Sequence, residues 1–163
     1  MPIISTDIDY FLSGGSGNTD PAASLGGAIS TTEATTNTLF DDVSSAEAAA
    51  GDTEYRCIFI KNSHGTLTLT AAKIFIQANT TGDRIAIALD GLGKGGTAET
   101  EADESTAPTG ETFSQPTDYA GGLSLGDLAP GETFPVWVRR VIPSSAAAAT
   151  DTYTLRVQGE TNP

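Results

Sequence analysis

Hydrophobic and polar positions alternate over short runs along most of this chain, with a period of two that sets successive side chains on opposite faces of an extended backbone. The densest stretch is Glu54 to Asp90, EYRCIFIKNSHGTLTLTAAKIFIQANTTGDRIAIALD. Three apolar runs lie in it, from Tyr55 to Ile60, Ile74 to Ala78 and Ile85 to Leu89. Each is rich in β-branched or aromatic residues. Turn formers break the pattern at Asn62–Gly65 and again at Asn79–Asp83. No run is long enough for a helix, and their spacing fits successive antiparallel strands. In the first run Tyr55, Cys57 and Phe59 share one face, and Arg56, Ile58 and Ile60 share the other. Both faces are largely apolar, which predicts a central strand.

The same reading extends to both ends. Ile8, Tyr10 and Leu12 alternate with Asp9 and Phe11 in a first short strand, and Leu25 to Ile29 suits a second. Thr66 to Thr70 alternates as TLTLT and predicts a strand with Leu67 and Leu69 inward. Leu128–Glu132 carries a Pro-Gly turn into FPVWVRRVI, Phe134 to Ile142. There Val136 and Val138 share a face opposite Trp137, Arg139 and Val141. Tyr153, Leu155 and Val157 alternate in a last strand. Ser44 to Ala50 predicts one or two helical turns, with Ser44 or Ser45 as N-cap and Gly51 after the end. The fold predicted is all-β: an antiparallel β-sandwich with the feature order of an Ig-like module, a jelly roll being the alternative. Residues 1–38 read as an extended N-terminal arm with short strands. Residues 39–163 read as the sandwich, with a long loop insertion at 91–126. Residues 13–38 and 91–126 are expected to lack a core of their own, because Gly, Ser and Thr outnumber large apolar residues there. Removal of residues 1–24 is expected to leave a folded sandwich.

Composition narrows the function classes. Twenty-one acids against 8 bases give a net charge of −13, which argues against nucleic-acid binding, since phosphates need a basic face. No stretch approaches the roughly 18 apolar residues of a membrane span, and the N-terminus lacks the pattern of a signal peptide. Synthesis in a cytoplasm is expected. Cys57 is the single cysteine and His64 the single histidine. Cys57 lies inside the most apolar strand and is expected to be a small buried hydrophobe. His64 falls in the following turn, so a Cys–His pair is not expected. The chain lacks the parts of acid/base or nucleophilic catalysis, and no catalytic residue, cofactor or metal ligand is assigned. Asp41–Asp42 invite a calcium-site reading, and the acidic run Glu99, Glu101, Asp103, Glu104 a cation-site reading. Neither carries the glycine-turn ligand spacing of an EF-hand loop, and solvated turns are the expectation. Lys94-Gly95-Gly96 does not match a phosphate loop. Arg139 and Arg140 stand out in so acidic a chain. They are expected to pair across strands with carboxylates or to meet an acidic partner surface. Tyr10, Phe11, Phe113, Tyr119, Arg139 and Arg140 are the candidate inter-subunit contacts.

Three strings carry a resemblance. Gly51 to Asn62 (GDTEYRCIFIKN) with the following His64-Gly65, Ala102 to Pro108 (ADESTAP), and Val136 to Arg140 (VWVRR) resemble virion structural proteins of tailed bacteriophages. The resemblance runs from about residue 7 to the C-terminus. It implies a structural protein of the particle, of the head decoration or cement type or a related tail or neck component, located in the virion. The partners it implies are copies of the chain and other virion proteins, the major capsid protein among them. It carries over no enzymatic residue. A carbohydrate-binding or adhesin sandwich is the alternative of a different class. Exposed aromatics would favour that reading, but few are available.

Overall fold

The computed structural model describes residues 1–161. Nine strands run in chain order: β1 (Ile8–Ser13), β2 (Gly26–Glu33), β3 (Asp52–Asn62), β4 (Leu69–Asn79), β5 (Ile85–Leu89), β6 (Thr97–Thr100), β7 (Leu123–Leu128), β8 (Thr133–Ile142) and β9 (Tyr153–Thr161). They form two antiparallel sheets. The larger has the order β5-β8-β3-β1-β2-β6, and the smaller β7-β4-β9. The fold is all-β and sandwich-like.

The strand predicted to be central is central. β3 pairs with β8 from Asp52↔Ile142 to Lys61↔Thr133, and with β1 from Ile8↔Asn62 to Leu12↔Ile58. Its two faces feed two different cores. Ile58 and Ile60 join Leu12, Val136, Val138, Ile85 and Ile87, and meet Leu69, Ile74, Ile76, Leu125, Leu128 and Leu155 of the smaller sheet. Cys57 and Phe59 face the other way. With Trp137, Ala88 and Ala98 they form a second, smaller cluster, flanked by Phe11, Ile29, Tyr55 and Phe113. Cys57, Phe59 and Trp137 have no exposed surface. Burial pushes the Cys57 thiol well up, so it stays protonated and unreactive.

The helix forms where its signals lie. α1 (Ser45–Ala50) starts at Ser44, whose hydroxyl accepts from Glu47 N–H while the Glu47 carboxylate accepts from Ser44 N–H. This reciprocal pair is a capping box. Gly51 ends the helix at φ +82°.

Three expectations change. Thr66–Thr70 is not a separate strand. His64 Nδ1 accepts from the N–H groups of Thr66 and Leu67, at 3.2 and 3.0 Å, and holds a turn there, so β4 begins only at Leu69. Residues 91–126 are not a bare loop: they supply β6 and β7, and Ala98 and Leu125 are buried. Residues 1–38 do not stand apart as an arm, because β1 lies between β3 and β2 inside the larger sheet. These segments have few large side chains to bury, yet they enter the fold through backbone hydrogen bonds, which any residue type can make. Gly26 shows how: a Cβ there would sit 1.6 Å from the Glu99 carbonyl oxygen, so only glycine lets β2 cross β6 at that point. Removal of residues 1–24 therefore deletes a strand from the middle of a sheet. The truncated chain should show no cooperative thermal transition by circular dichroism. A transition like that of the full chain would show that β1 is dispensable.

Candidate functional site

Two clusters of charge are built into the fold. The first lies at one end of the inner face of β3 and β8. Register places Glu54 opposite Arg140, and the Arg140 guanidinium meets the Glu54 carboxylate at 2.5 Å. Arg140 also donates to the Asp41 carbonyl at 2.6 Å and lies 4.8 Å from the Phe40 ring centre. Arg56, with a side chain 1% exposed, contacts Glu104 at 2.6 Å and lies 5.3 Å from the same ring. Phe40 thus sits against two guanidinium groups, an arrangement its π face favours. Glu54 is fully buried, and its Oε1 has no hydrogen-bond partner. Burial pushes the Glu54 carboxyl up, although Arg140 and Arg56 pull it down.

The second cluster lies on the outer face. Asp90, at the end of β5, is 2% exposed. Its Oδ2 accepts from Trp137 Nε1 at 2.8 Å and from Glu99 N–H at 3.0 Å, and its Oδ1 accepts from Leu92 N–H at 3.0 Å. Carboxylate oxygens of Asp90, Glu99 and Glu111 lie within 4.8 Å of one another. Glu111 accepts from Gly91 N–H at 2.6 Å, whereas Glu99 Oε2 is buried without a partner. Burial raises the Glu111 carboxyl, the Gly91 bond lowers it, and Asp90 and Glu99 raise it further. Glu47, Asp52 and Glu54 form another carboxylate group of similar size beside the arginines. Oxygen-only donor sets of this kind suit a hard divalent cation. The sequence shows the acidic run 99–104, but Asp90 and Glu111 lie outside it on either side and share no ligand spacing with it. Asp90 follows β5, Glu99 lies on β6 and Glu111 in the segment after it, and the Glu99 and Gly91 N–H bonds to the Asp90 and Glu111 carboxylates bring the three together.

The six candidate contact residues separate into different settings. Arg140 is absorbed by the first cluster, as the cross-strand reading expects. Arg139 lies 5.2 Å from the Phe113 ring centre, and that ring is 5.4 Å from Tyr55. Tyr10 donates to the Leu155 carbonyl at 3.4 Å, and burial pushes its hydroxyl up to about 12. Phe11 packs beside the outer cluster, with Lys61 Nζ 5.5 Å from its ring centre. Tyr119 donates to the Ala71 carbonyl at 2.8 Å and carries Lys73 over its ring. All six are partly exposed. The large apolar side chains that stand most exposed are others: Met1, Ile4, Val43 and Leu92. Among the described residues no helix is long and apolar enough to cross a membrane. No family model, curated protein or solved structure matches this chain.

Two outcomes follow from the clusters. Arg140→Met removes the cation in contact with Glu54 and strands a buried carboxylate. It should cost about 3 kcal/mol of unfolding free energy at neutral pH, and less as acid protonates Glu54. A urea-denaturation series at several pH values measures this, and an equal loss at every pH would contradict it. Glu111 carries the opposite kind of signature. A raised carboxyl binds its proton more tightly in the folded state, so its contribution is full below the unfolded-state pKa and is lost as pH rises through the folded value. Glu111→Gln should therefore melt higher than the parent at neutral pH, with the gap closing in acid. A gap that widens in acid would reverse the assignment.

Proposed function

We propose that this protein is a structural component of a tailed-bacteriophage particle, acting as a decoration or cement protein that binds the head lattice through contacts with the major capsid protein and with copies of itself. The observation that carries this reading is that the three strings resembling virion structural proteins, far apart in sequence, fold into one continuous patch. The first and third pair as β3 and β8, with Arg56 opposite Val138 and Glu54 opposite Arg140. The middle string joins them at β3: Tyr55 N–H donates to the Glu104 carbonyl at 2.7 Å, and the Glu104 side chain pairs with Arg56. The resemblance therefore falls on a folded unit and not on scattered words.

The charge pattern gives the mode of action its physical terms. At −13 the copies repel one another at low salt, so attachment rests on local apolar anchors and on a partner that supplies opposite charge. Many weak contacts then add up because each copy is held in an array. Ile4, 57% exposed, and Leu92, 58% exposed, are large apolar side chains free to serve as such anchors.

Particles assembled without the protein and then mixed with it supply the test. The parent should co-sediment with them and saturate at a fixed number of copies per particle. The double variant Ile4→Asp, Leu92→Asp should lose occupancy at least about tenfold while melting close to the parent, since exposed substitutions cost little stability. Absence of the parent from the particle pellet would overturn the reading. Parent-like occupancy of the variant would overturn the anchors.

A further inference from the structure

Residues 101–116 pass over the outer face of the larger sheet from the edge of β3 to β5, held at a series of separate points. At one end Glu101 N–H donates to the Leu25 carbonyl at 2.9 Å. Beyond the last β1 pairing, the edge of β3 is met by other segments, the Ser24 carbonyl accepting from Cys57 N–H at 2.7 Å. The Glu104 carbonyl takes the Tyr55 N–H there, and the Glu104 carboxylate takes the buried Arg56. In the middle Phe113 lies on Tyr55 and Arg139, which are cross-strand partners. Glu111 accepts from Gly91 N–H at 2.6 Å, and at the far edge Ser114 and Ile87 exchange two backbone bonds, both 2.9 Å, while Gln115 Nε2 donates to the Gly82 and Ile85 carbonyls. The Pro116 carbonyl then accepts from Ile76 N–H of the smaller sheet at 2.8 Å. Between Glu104 and Phe113 the chain turns through Gly110, at φ +81° with no atom near its Cβ position.

The segment adds no aliphatic or aromatic side chain to the cluster between the sheets, although its Pro108 and Pro116 are buried. Its Phe113 packs against the second cluster, of five buried residues, including Cys57 and Trp137, which Phe11, Ile29 and Tyr55 also flank. Loss of these contacts would leave every strand-to-strand pairing in place. Segments of this kind, with few apolar contacts and their own set of hydrogen bonds, open at free energies below that of global unfolding.

We propose that residues 101–116 are a latched strap, which opens as one unit while both sheets stay folded, with the Arg56–Glu104 ion pair as its latch. The open state lifts Phe113 from the face of β3 and β8 that holds Cys57 and Trp137, leaving that face flanked by Ala98 of β6 and Ile29 of β2. The proposal rests on the fold and not on the particle reading above.

Hydrogen exchange on the intact protein tests the unit. The N–H groups of Tyr55, Ile87 and Ile76 lie on three different strands, but all three donate to the strap. They should exchange with one common opening free energy and a shallow dependence on urea, while Ile58 and Val138 exchange only by global unfolding. Three unrelated opening free energies, or steep global dependence at all three, would overturn the strap. Glu104→Gln tests the latch, with modification of the Cys57 thiol by an aromatic disulfide as the probe. The variant should react roughly tenfold or more faster than the parent while its far-ultraviolet unfolding midpoint stays near the parent's. An unchanged rate would overturn the latch. If the variant proves unfolded, the exchange pattern of the parent decides.

Discussion

The structure depends on one constraint: β3 is apolar on both faces, so both faces must be covered. Ile58 and Ile60 on one side, and Cys57 and Phe59 on the other, are each removed from water. Burying such side chains contributes about 1.5–3 kcal/mol each for the larger ones. A single small sheet can cover only one face. β4, β7 and β9 do this on the inside. The outer face is left to whatever chain remains, and that chain is rich in Gly, Ser and Thr. It closes the gap with a curled sheet edge at β2 and β6, with the segment that holds Phe113, and with polar anchors such as Asp90 to Trp137 Nε1.

That division explains the unequal character of the two cores. The inner one interlocks aliphatic side chains from both sheets. The outer one is small and ends in charge: Asp90, Glu99 and Glu111 approach one another at its rim. At the inner end of β3 the solution differs. There Arg56 and Arg140 are drawn off the water by Phe40 and are neutralised by Glu54, Asp41 and Glu104. Buried ion pairs are weak sources of stability, but they are costly to mismatch. In this fold they tie the β3–β8 register, the Phe40–Asp41 turn and the 101–116 segment to one another.

A good part of this was legible in the sequence, and the reason is local. Period-two alternation assigns each residue of β3 and β8 to a face whatever surrounds it, so Cys57 and Trp137 could be placed in a core and Arg140 could be expected to meet a carboxylate across strands. The cap at Ser44 and the stop at Gly51 are likewise decided within a few residues. β6 and β7 were missed because their side chains are small or sparse. Thr97–Thr100 and Leu123–Leu128 are held by backbone pairing, which leaves little trace in residue type. The TLTLT alternation misled because a side-chain acceptor, His64 Nδ1, claimed the backbone donors that a strand would have used.

What the sequence by itself determined is the class of fold, the central strand and the residues of both of its faces, because alternation and burial are properties of short stretches. What only the tertiary structure decided is which distant segments meet. The candidate N-terminal contacts Tyr10 and Phe11 lie on an interior strand, since β1 fills one edge of β3 where β8 fills the other. That Arg140 would meet a carboxylate could be expected, but that the carboxylate is Glu54 follows from the β3–β8 pairing, and Arg56 finds Glu104, forty-eight residues on, only because the chain after β6 returns to the edge of β3 beyond β1. Asp90, Glu99 and Glu111, on successive segments, converge through the path of the chain from β5 through β6 into the 101–116 segment. Such meetings depend on strand order and loop path, which are fixed by the packing of the whole chain and not by any stretch of it.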